Sequence, residues 1–441
     1  MREKESDEKV YTVALSTLGC KVSQYETEAV KEAFLSRGFS AVDFSEKADV
    51  YVINTCTVTA ESDRKCRQVI RRAIRCNPDA LVMVMGCYAQ RSSDEILKIE
   101  GVAYIAGTNG KMEIPEEAEK LLKARAKKPI LAVTSLDGVP FEKMSVYGAP
   151  RTRAYLKIED GCECKCAYCA IPSARGGVRS KAPGDVLSEI ETLAMGGTRE
   201  VVLTGIETAS YGADLGSYRL IDLLEDIEKK SSVPRIRLGS LTPEMMKEDT
   251  VLRLSRLKKL VPHFHLSMQS GSSGVLKRMK RRYNAEMALA ALERLRAAIP
   301  SVQFTTDMMV GFPGESEEEF AETLAFTEKA RFLDMHVFAY SRRKDTEADG
   351  YKDQIPEAVK RDRSAHLIAL AAALREEVLK EIVKRGKPLT VLFETNEGGV
   401  WHGHSDEFAP VAVKTDEDLH GEMRSVLPLS ASPTEIVGEL I

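Results

Sequence analysis

No stretch of the sequence approaches the roughly 18 consecutive apolar residues that a membrane-spanning helix requires, so no membrane partner is expected. The opening residues, MREKESDEKV, lack the apolar segment of a secretory signal. No signal peptide is expected there, and a cytoplasmic location follows, where thiols stay reduced. A fixed-period repeat and a low-complexity segment are also missing, which removes repeat arrays and disordered tracts from consideration. Nor is there an excess of basic charge: 63 Lys and Arg against 67 Asp and Glu leave a formal net charge of -4. A nucleic-acid partner must then be held by a local basic patch.

What is present is a globular composition, 43% hydrophobic and 29% charged, over 441 residues, a length that divides into about three domains. Nine cysteines, an odd number, stand at Cys20, Cys56, Cys66, Cys76, Cys87, Cys162, Cys164, Cys166 and Cys169. In a reducing compartment this pattern points to metal binding or catalysis ahead of disulfides.

The first third alternates strand and helix patterns. YTVALSTLGC, DVYVINTC and ALVMVMGC read as strands, and QYETEAVKEAFLSRG reads as a helix closed by glycine. This predicts a parallel-sheet α/β domain of the flavodoxin or Rossmann kind over residues 1–140. Each of the three strands runs into a cysteine: Cys20, Cys56 and Cys87. Ligands of open parallel sheets sit beyond the strand carboxyl ends, so these three can meet at one edge. Cys66 and Cys76 fall in a helical stretch and are read as structural.

A Lys-, Pro- and Gly-containing linker is expected over 125–151, followed by about six βα units over 148–380. They begin with RAYLKIED and end with DMHVFAYS, and Ser316 with Glu319 forms a capping box before one helix. Such a series predicts a partial (β/α)6 barrel with its site at the strand C-terminal ends. A long helix with Leu367, Leu370, Leu374 and Val378 on one face follows, then short β runs over 383–441 that predict a small OB-like barrel.

The densest chemistry lies in GCECKCAYC, residues 161–169. Cys162, Cys166 and Cys169 have C-x3-C-x2-C spacing, which suits a four-iron cubane with one iron left open. A zinc loop is the alternative, but the second Cys or His pair that zinc knuckles bring at a fixed distance does not follow. With Tyr168 before the last cysteine, at the end of the first strand of a βα series, the segment resembles the radical S-adenosylmethionine (SAM) superfamily. TLGCKVSQYETEA, NTCTVT, MGCYAQR and DGCECKCAYCAIPSARG together resemble the methylthiotransferase family over essentially the whole chain.

The resemblance implies a 4Fe-4S cluster on Cys162, Cys166 and Cys169, with SAM on its open iron as the source of a 5′-deoxyadenosyl radical. It implies a second 4Fe-4S cluster on Cys20, Cys56 and Cys87, where one SAM methylates a sulfur while another yields the radical. An unreactive aromatic C–H has no acidic proton, and the cofactor carries that chemistry. Cys164 is then a bystander on the loop. SAM contacts are expected from Tyr168, Gly205 and Glu207 in LTGIET, Ser240, Gln269 and Asp307, with Gly311, Pro313 and Gly314 in a loop nearby. Asp307 interrupts an apolar strand and needs a partner if buried.

TLGCKVSQYETEA most resembles enzymes acting on threonylcarbamoyladenosine (t6A) at position 37 of tRNA, although Ser23 replaces a usual asparagine. Isopentenyladenosine in tRNA and an aspartate of a ribosomal protein are the competing targets within the family. From other classes, the rivals are a noncatalytic zinc- or RNA-binding protein and an iron–sulfur sensor. An electron donor such as flavodoxin or ferredoxin and a sulfide source are implied partners. For RNA, the candidates are Arg64, Arg67 and Arg71 with Arg75 on one helix face, and LKRMKRRY with Lys277, Arg278, Lys280, Arg281 and Arg282 beside Tyr283. The tail resembles the family's TRAM domain, yet from Gly386 on it carries three basic residues against ten acidic ones. Trp401, in the WHGHS run, offers a face for stacking a single-stranded base; otherwise the tail docks on protein or packs against the barrel. His402 and His404 alone are too few for a metal site.

Overall fold

The strand Val50–Thr55 is buried at all six positions, as a central strand of a parallel sheet covered on both faces must be. In the computed structural model, which describes residues 10–124, 128–148 and 152–441, six parallel strands build this sheet. They are β1 (Thr12–Thr17), β2 (Ser40–Ala41), β3 (Val50–Thr55), β4 (Leu81–Gly86), β5 (Val102–Ala106) and β6 (Ile130–Ala132), in the order β2-β1-β3-β4-β5-β6. The charged N-terminal run and parts of the expected 125–151 linker lie outside the described residues.

That order reverses direction between β1 and β3, the flavodoxin-like switch point where ligands of such sheets bind. Three of the six strands were legible as apolar runs; β2 and β6, of two and three residues, are too short to show a period. The helix Lys21–Ser36 ends as the sequence predicts: Gly38 takes φ 85, and Phe39 N–H bonds the Phe34 carbonyl at 3.2 Å.

The chain divides into two compact units, one of residues up to Val146 with Gly161–Glu163 and Ala170–Gly177, the other of Tyr147–Asp160, Cys164–Cys169 and Val178–Ile441. The second unit holds β7 (Arg153–Lys157), the short antiparallel pair β8 (Glu159–Asp160) and β9 (Arg179–Ser180), then β10 (Glu200–Thr204) and β11 (Arg235–Leu238). It continues with β12 (His263–His265), β13 (Gln303–Val310) and β14 (Asp334–Ala339). Parallel sheets β7-β10-β11 and β12-β13-β14 are joined by bridges Ile236 to Leu260 and Leu241 to Leu266, giving an open barrel of six parallel strands. Helices between the strands cover it, and Ser316 and Glu319 form the expected reciprocal cap on Glu317–Ala330. The helix Glu357–Lys384 leads to a closed barrel of β15 (Leu389–Glu397), β16 (Val400–Ser405), β17 (Pro410–Lys414), β18 (Met423–Ala431) and β19 (Ile436–Leu440). β17 and β19 pair in parallel and the other neighbours antiparallel, as in a small OB-like barrel.

At the N-terminal ends of β7, β10 and β11, Glu200 stands in register with Arg153 and Arg235. Its buried carboxylate meets Arg153 at 2.8 Å, Arg237 at 3.1 Å and also Arg235. Burial alone would raise this carboxyl, but the three guanidiniums outweigh it and hold it well below the ordinary carboxylate range. Arg153 also reaches Glu394 of the small barrel at 3.1 Å, and the Arg237 guanidinium lies 4.8 Å from the Phe408 ring centre. Glu200→Ala leaves buried arginines uncompensated, and a stability loss of about 3–5 kcal/mol is expected in denaturant unfolding. Because the native carboxyl is depressed, its contribution is complete above the ordinary carboxylate range and disappears as pH falls through the lowered native value.

Candidate active site and cluster-binding cysteines

Cys20, Cys56 and Cys87 converge because of where their strands end. Cys20 caps the helix after β1, Cys56 directly follows β3, and Cys87 opens the helix Cys87–Leu97 directly after β4. Gly86, at φ 100, makes that abrupt turn possible; a Cβ there would lie 2.4 Å from Asn54 Oδ1 and 2.6 Å from the Thr55 carbonyl. Gly19 does the same on the other side, where a Cβ would stand 2.7 Å from Ser23 Oγ and 3.5 Å from Cys56 Cβ. Ser23, the departure from the family pattern, is buried with its hydroxyl 3.8 Å from the Cys20 sulfur.

Burial raises the thiols of Cys56 and Cys87, the latter to about 11, and the neighbouring cysteines add to the shift by mutual repulsion. Such thiols need a cation to become thiolates, and an iron–sulfur cluster supplies one. Cys66 is different in kind. Its buried sulfur accepts from Cys56 N–H and donates to the Cys56 carbonyl, both at 3.4 Å, and burial pushes it to about 12. It fixes the backbone of Cys56, and Cys76 bonds the Ser45 and Glu46 carbonyls.

The second cysteine set lies on the loop after β7. Gly161, at φ 86, lets the chain press against Gly177, whose carbonyl would be 1.9 Å from a Cβ, and Cys162 N–H bonds the Gly176 carbonyl at 3.0 Å. Cys166 and Cys169 share one turn, with Cys169 N–H on the Cys166 carbonyl at 3.1 Å. Ala167 between them is pinned at both ends, its N–H to Met279 and its carbonyl to Ala348 N–H. Tyr168 packs edge-on against Phe312, 6.3 Å between ring centres. Among the described residues no three Cys, His, Asp or Glu side chains are grouped for a single metal ion. A cubane binds each thiolate on a different iron, whereas zinc gathers all of its ligands on one ion.

Cys164 lines a cavity of about 320 Å³ with Glu207, Glu244, Arg219, Lys247 and Arg282. Glu207 follows β10; a Cβ on Gly205 would meet Glu159 Oε2 at 2.5 Å, and that same oxygen accepts the Glu207 N–H at 2.9 Å. Burial raises Glu159 well above its ordinary value and Glu207 to about 8. The raised Glu207 carboxyl stays protonated in the native state while the unfolded chain ionises, so its effect lowers stability as pH rises from about 4.5 to 8. Glu207→Gln is expected to flatten that part of the melting temperature's dependence on pH.

The other candidate residues lie on the later strands and the loops that follow them. Ser240 Oγ is 2.8 Å from Ser267 Oγ. Gln269, buried at φ 67, bonds the β13 backbone at Asp307 and Met309. A non-glycine residue held in that region at a strand end carries the backbone strain often found at functional sites. Asp307 has the partners its position requires, His265 and His336, each at 3.2 Å. Burial would raise it, but the His265 hydrogen bond and both imidazoles hold it below its ordinary value. Gly311 N–H bonds Glu315, and Gly314 accepts from Arg278, so this loop is a closed turn.

The basic residues divide. Arg64 is tied to Glu61, Arg67 to Tyr88 and Glu95, while Arg71 is exposed. Arg278 pairs with Glu319 and Lys280 with Glu347. Arg281 turns inward: Nη1 donates to Cys166 Sγ at 3.3 Å and Nε to Tyr283 Oη at 3.1 Å. It stands on Cys166, where the sequence had suggested a phosphate contact; Arg282 is the exposed one, at the cavity. Trp401 requires a correction. It is 7% exposed, packed in the core of the small barrel with Val391, Val411 and Ile436, so its ring is not offered for stacking. His402 and His404 pair with Glu435 and Glu394. Sequence reasoning also missed Arg175, Glu26 and Glu159, because a charged residue paired across sequence has no local pattern.

An open six-stranded parallel barrel with a three-cysteine loop after its first strand is the mark of a radical SAM enzyme, and residues 156–327 match the model of the Radical SAM superfamily. Residues 12–107 match that of an uncharacterized protein family, UPF0004. The chain is 42% identical to the threonylcarbamoyladenosine tRNA methylthiotransferase MtaB of Bacillus subtilis, covering 95% of this chain and 94% of that protein. It is 38% identical to MtaB of Aquifex aeolicus over 86% of this chain and 92% of that protein. With the tRNA-2-methylthio-N(6)-dimethylallyladenosine synthase of Staphylococcus haemolyticus it shares 33% identity over 94% of this chain and 82% of that protein. Among solved structures, the radical S-adenosylmethionine methyltransferase TsrM of Kitasatospora setae has a similar fold, with TM-score 0.56 at 15% identity over 77% of this chain and 74% of that one. This chain belongs to the radical SAM methylthiotransferase family.

Proposed function

We propose that this protein adds a methylthio group to C2 of t6A at position 37, beside the anticodon of tRNA, and uses two SAM molecules per turnover. The observation that carries the substrate is the 42% identity over 95% of the chain with a relative named for threonylcarbamoyladenosine, against 33% with one named for dimethylallyladenosine. The cavity beside Cys164 supports it physically. A threonylcarbamoyl group ends in a carboxylate that an isopentenyl group lacks, and Lys247 and Arg282 are exposed cations at that cavity.

In this reading Cys162, Cys166 and Cys169 hold the 4Fe-4S cluster of the radical SAM fold, and Cys20, Cys56 and Cys87 hold a second one. With SAM bound, the first cluster supplies the 5′-deoxyadenosyl radical needed to take hydrogen from an inert aromatic carbon. Tyr168 and Gly205 shape the SAM site, Glu207 takes the amino group, and Ser240, Gln269 and Asp307 line the later strand ends. Glu207 must give up its proton to pair with an ammonium group, so SAM binding is accompanied by proton release near neutral pH. Arg281 holds Cys166 in place through its 3.3 Å hydrogen bond. Arg64, Arg67, Arg71 and Arg282 contact tRNA phosphates or the substrate's carboxylate. The division at 1–140, 148–380 and 383–441, a cytoplasmic site of action, a flavodoxin or ferredoxin donor and a sulfide source complete the reading.

Expression in a bacterium lacking its own t6A methylthiotransferase tests this. Digested tRNA is expected to gain 2-methylthio-t6A and no 2-methylthio-isopentenyladenosine; the reverse pattern, or neither nucleoside, refutes the substrate assignment.

A further inference from the structure

The deepest charged cluster of the first unit lies against one of the N-terminal cysteines. Arg175 and Glu26 are both 0% exposed, and Cys87 is 5% exposed. The Arg175 guanidinium grips Glu26 with two hydrogen bonds, 2.7 Å from Nη1 and 3.2 Å from Nη2, while its remaining edge, Nε, donates to Cys87 Sγ at 3.2 Å. Lys111, also fully buried, lies 3.3 Å from Glu26 and 3.5 Å from Glu142. Thr108 bonds the Ala174 carbonyl at 2.7 Å and so fixes the turn that carries Arg175.

Packing alone does not explain this choice of residues. An apolar side chain of similar volume fills a core without the desolvation cost of an ion pair, and breaking a buried pair is costly only once it exists. The guanidinium's fixed fork is what aims one N–H at sulfur while two others are clamped. Arg175 also has a particular origin. It ends the short helix Ile171–Arg175, six residues beyond Cys169, so the loop that bears one cysteine set supplies the cation standing on a member of the other.

We propose that Arg175 is a positioning residue for the N-terminal cluster: clamped by Glu26, it orients Cys87 as a thiolate and sets the reduction potential of the cluster that Cys87 helps to hold. The proposal rests on the two-cluster reading above. A hydrogen bond and positive charge on a ligating sulfur stabilise the more negative, reduced state, and outer hydrogen bonds of this type are among the protein's main controls on iron–sulfur potentials. Glu26 acts in the opposite sense, since its charge partly neutralises the guanidinium.

The test uses the full chain carrying Cys162→Ala, Cys166→Ala and Cys169→Ala, so that only the N-terminal cluster can contribute a signal. After anaerobic reconstitution with iron and sulfide, the midpoint potential is read by a redox titration followed by electron paramagnetic resonance. Arg175→Gln is expected to shift the midpoint to more negative potential, Glu26→Gln to more positive potential, and Arg175→Lys to fall between the parent and Arg175→Gln. A merely structural pair lowers the melting temperature in all three without opposite shifts. Unchanged midpoints, or shifts of one sign in Arg175→Gln and Glu26→Gln, overturn the proposal. If Arg175→Gln does not fold, Arg175→Lys and Glu26→Gln must still move in opposite directions. A parent that binds no cluster overturns the two-cluster reading and the proposal with it, whereas a normal cluster with an unshifted midpoint overturns the proposal alone.

Discussion

Cys166→Ala protein, reconstituted with iron, forms no 5′-deoxyadenosine from SAM above the level of a no-enzyme control, and Cys164→Ala protein forms it as the parent does. The two cysteines lie close enough for their charges to interact, but they differ in their hydrogen bonds. Cys166 shares a turn with Cys169 and receives the Arg281 hydrogen bond, with burial raising its thiol and the guanidinium pulling it back. Cys164 lines the cavity with Glu207 and Glu244 instead. If Cys166 is one of three cluster thiolates and Cys164 does not take its place, the expected effect exceeds the ~10–100-fold typical of losing an outer-sphere partner. Loss of iron and SAM cleavage in the Cys164 variant would reassign the ligands.

The second large effect separates two outputs. Cys56→Ala is expected to lose methylthio product altogether while SAM cleavage stays within about threefold of the parent, a change smaller than the tenfold that 1.4 kcal/mol represents. Cys56 belongs to the sheet edge at the β1 and β3 switch point, and its backbone is latched by Cys66 through two 3.4 Å contacts. None of the barrel strands depends on it for pairing. Counting S-adenosylhomocysteine and 5′-deoxyadenosine against modified nucleoside provides the readout, with one of each per product in the parent. A Cys56 variant that still makes product would remove the N-terminal cysteines from the chemistry.

How much of this was legible in the sequence follows from the range of each interaction. The strands carrying Cys56 and Cys87 were visible because parallel strands covered on both faces must be apolar at nearly every position, as Val50–Thr55 is. Convergence of the three cysteines followed from chain direction alone, since each lies at a strand's carboxyl end. The capping box at Ser316 is a local pattern and is present as read. The misjudged side chains were those whose partners lie far away in sequence. Arg281 sits in a basic run that resembles a phosphate patch, yet its partner is Cys166, 115 positions earlier. Trp401, in a polar run, alternates inward along β16 and is buried in the small barrel. Arg175 lies in the DGCECKCAYCAIPSARG run that carried the family resemblance, yet its pairing with Glu26, 149 positions away, has no local pattern.

The central claim is tested most directly by an anaerobic reaction of the reconstituted protein with SAM, sulfide and a reductant on two tRNAs, one bearing t6A and the other isopentenyladenosine at position 37, with digested nucleosides read by mass spectrometry. A methylthio mass gain on the t6A nucleoside alone, with 5′-deoxyadenosine released, is the predicted result. Deoxyadenosine release with no gain on t6A, whether or not isopentenyladenosine is modified, would contradict the assignment.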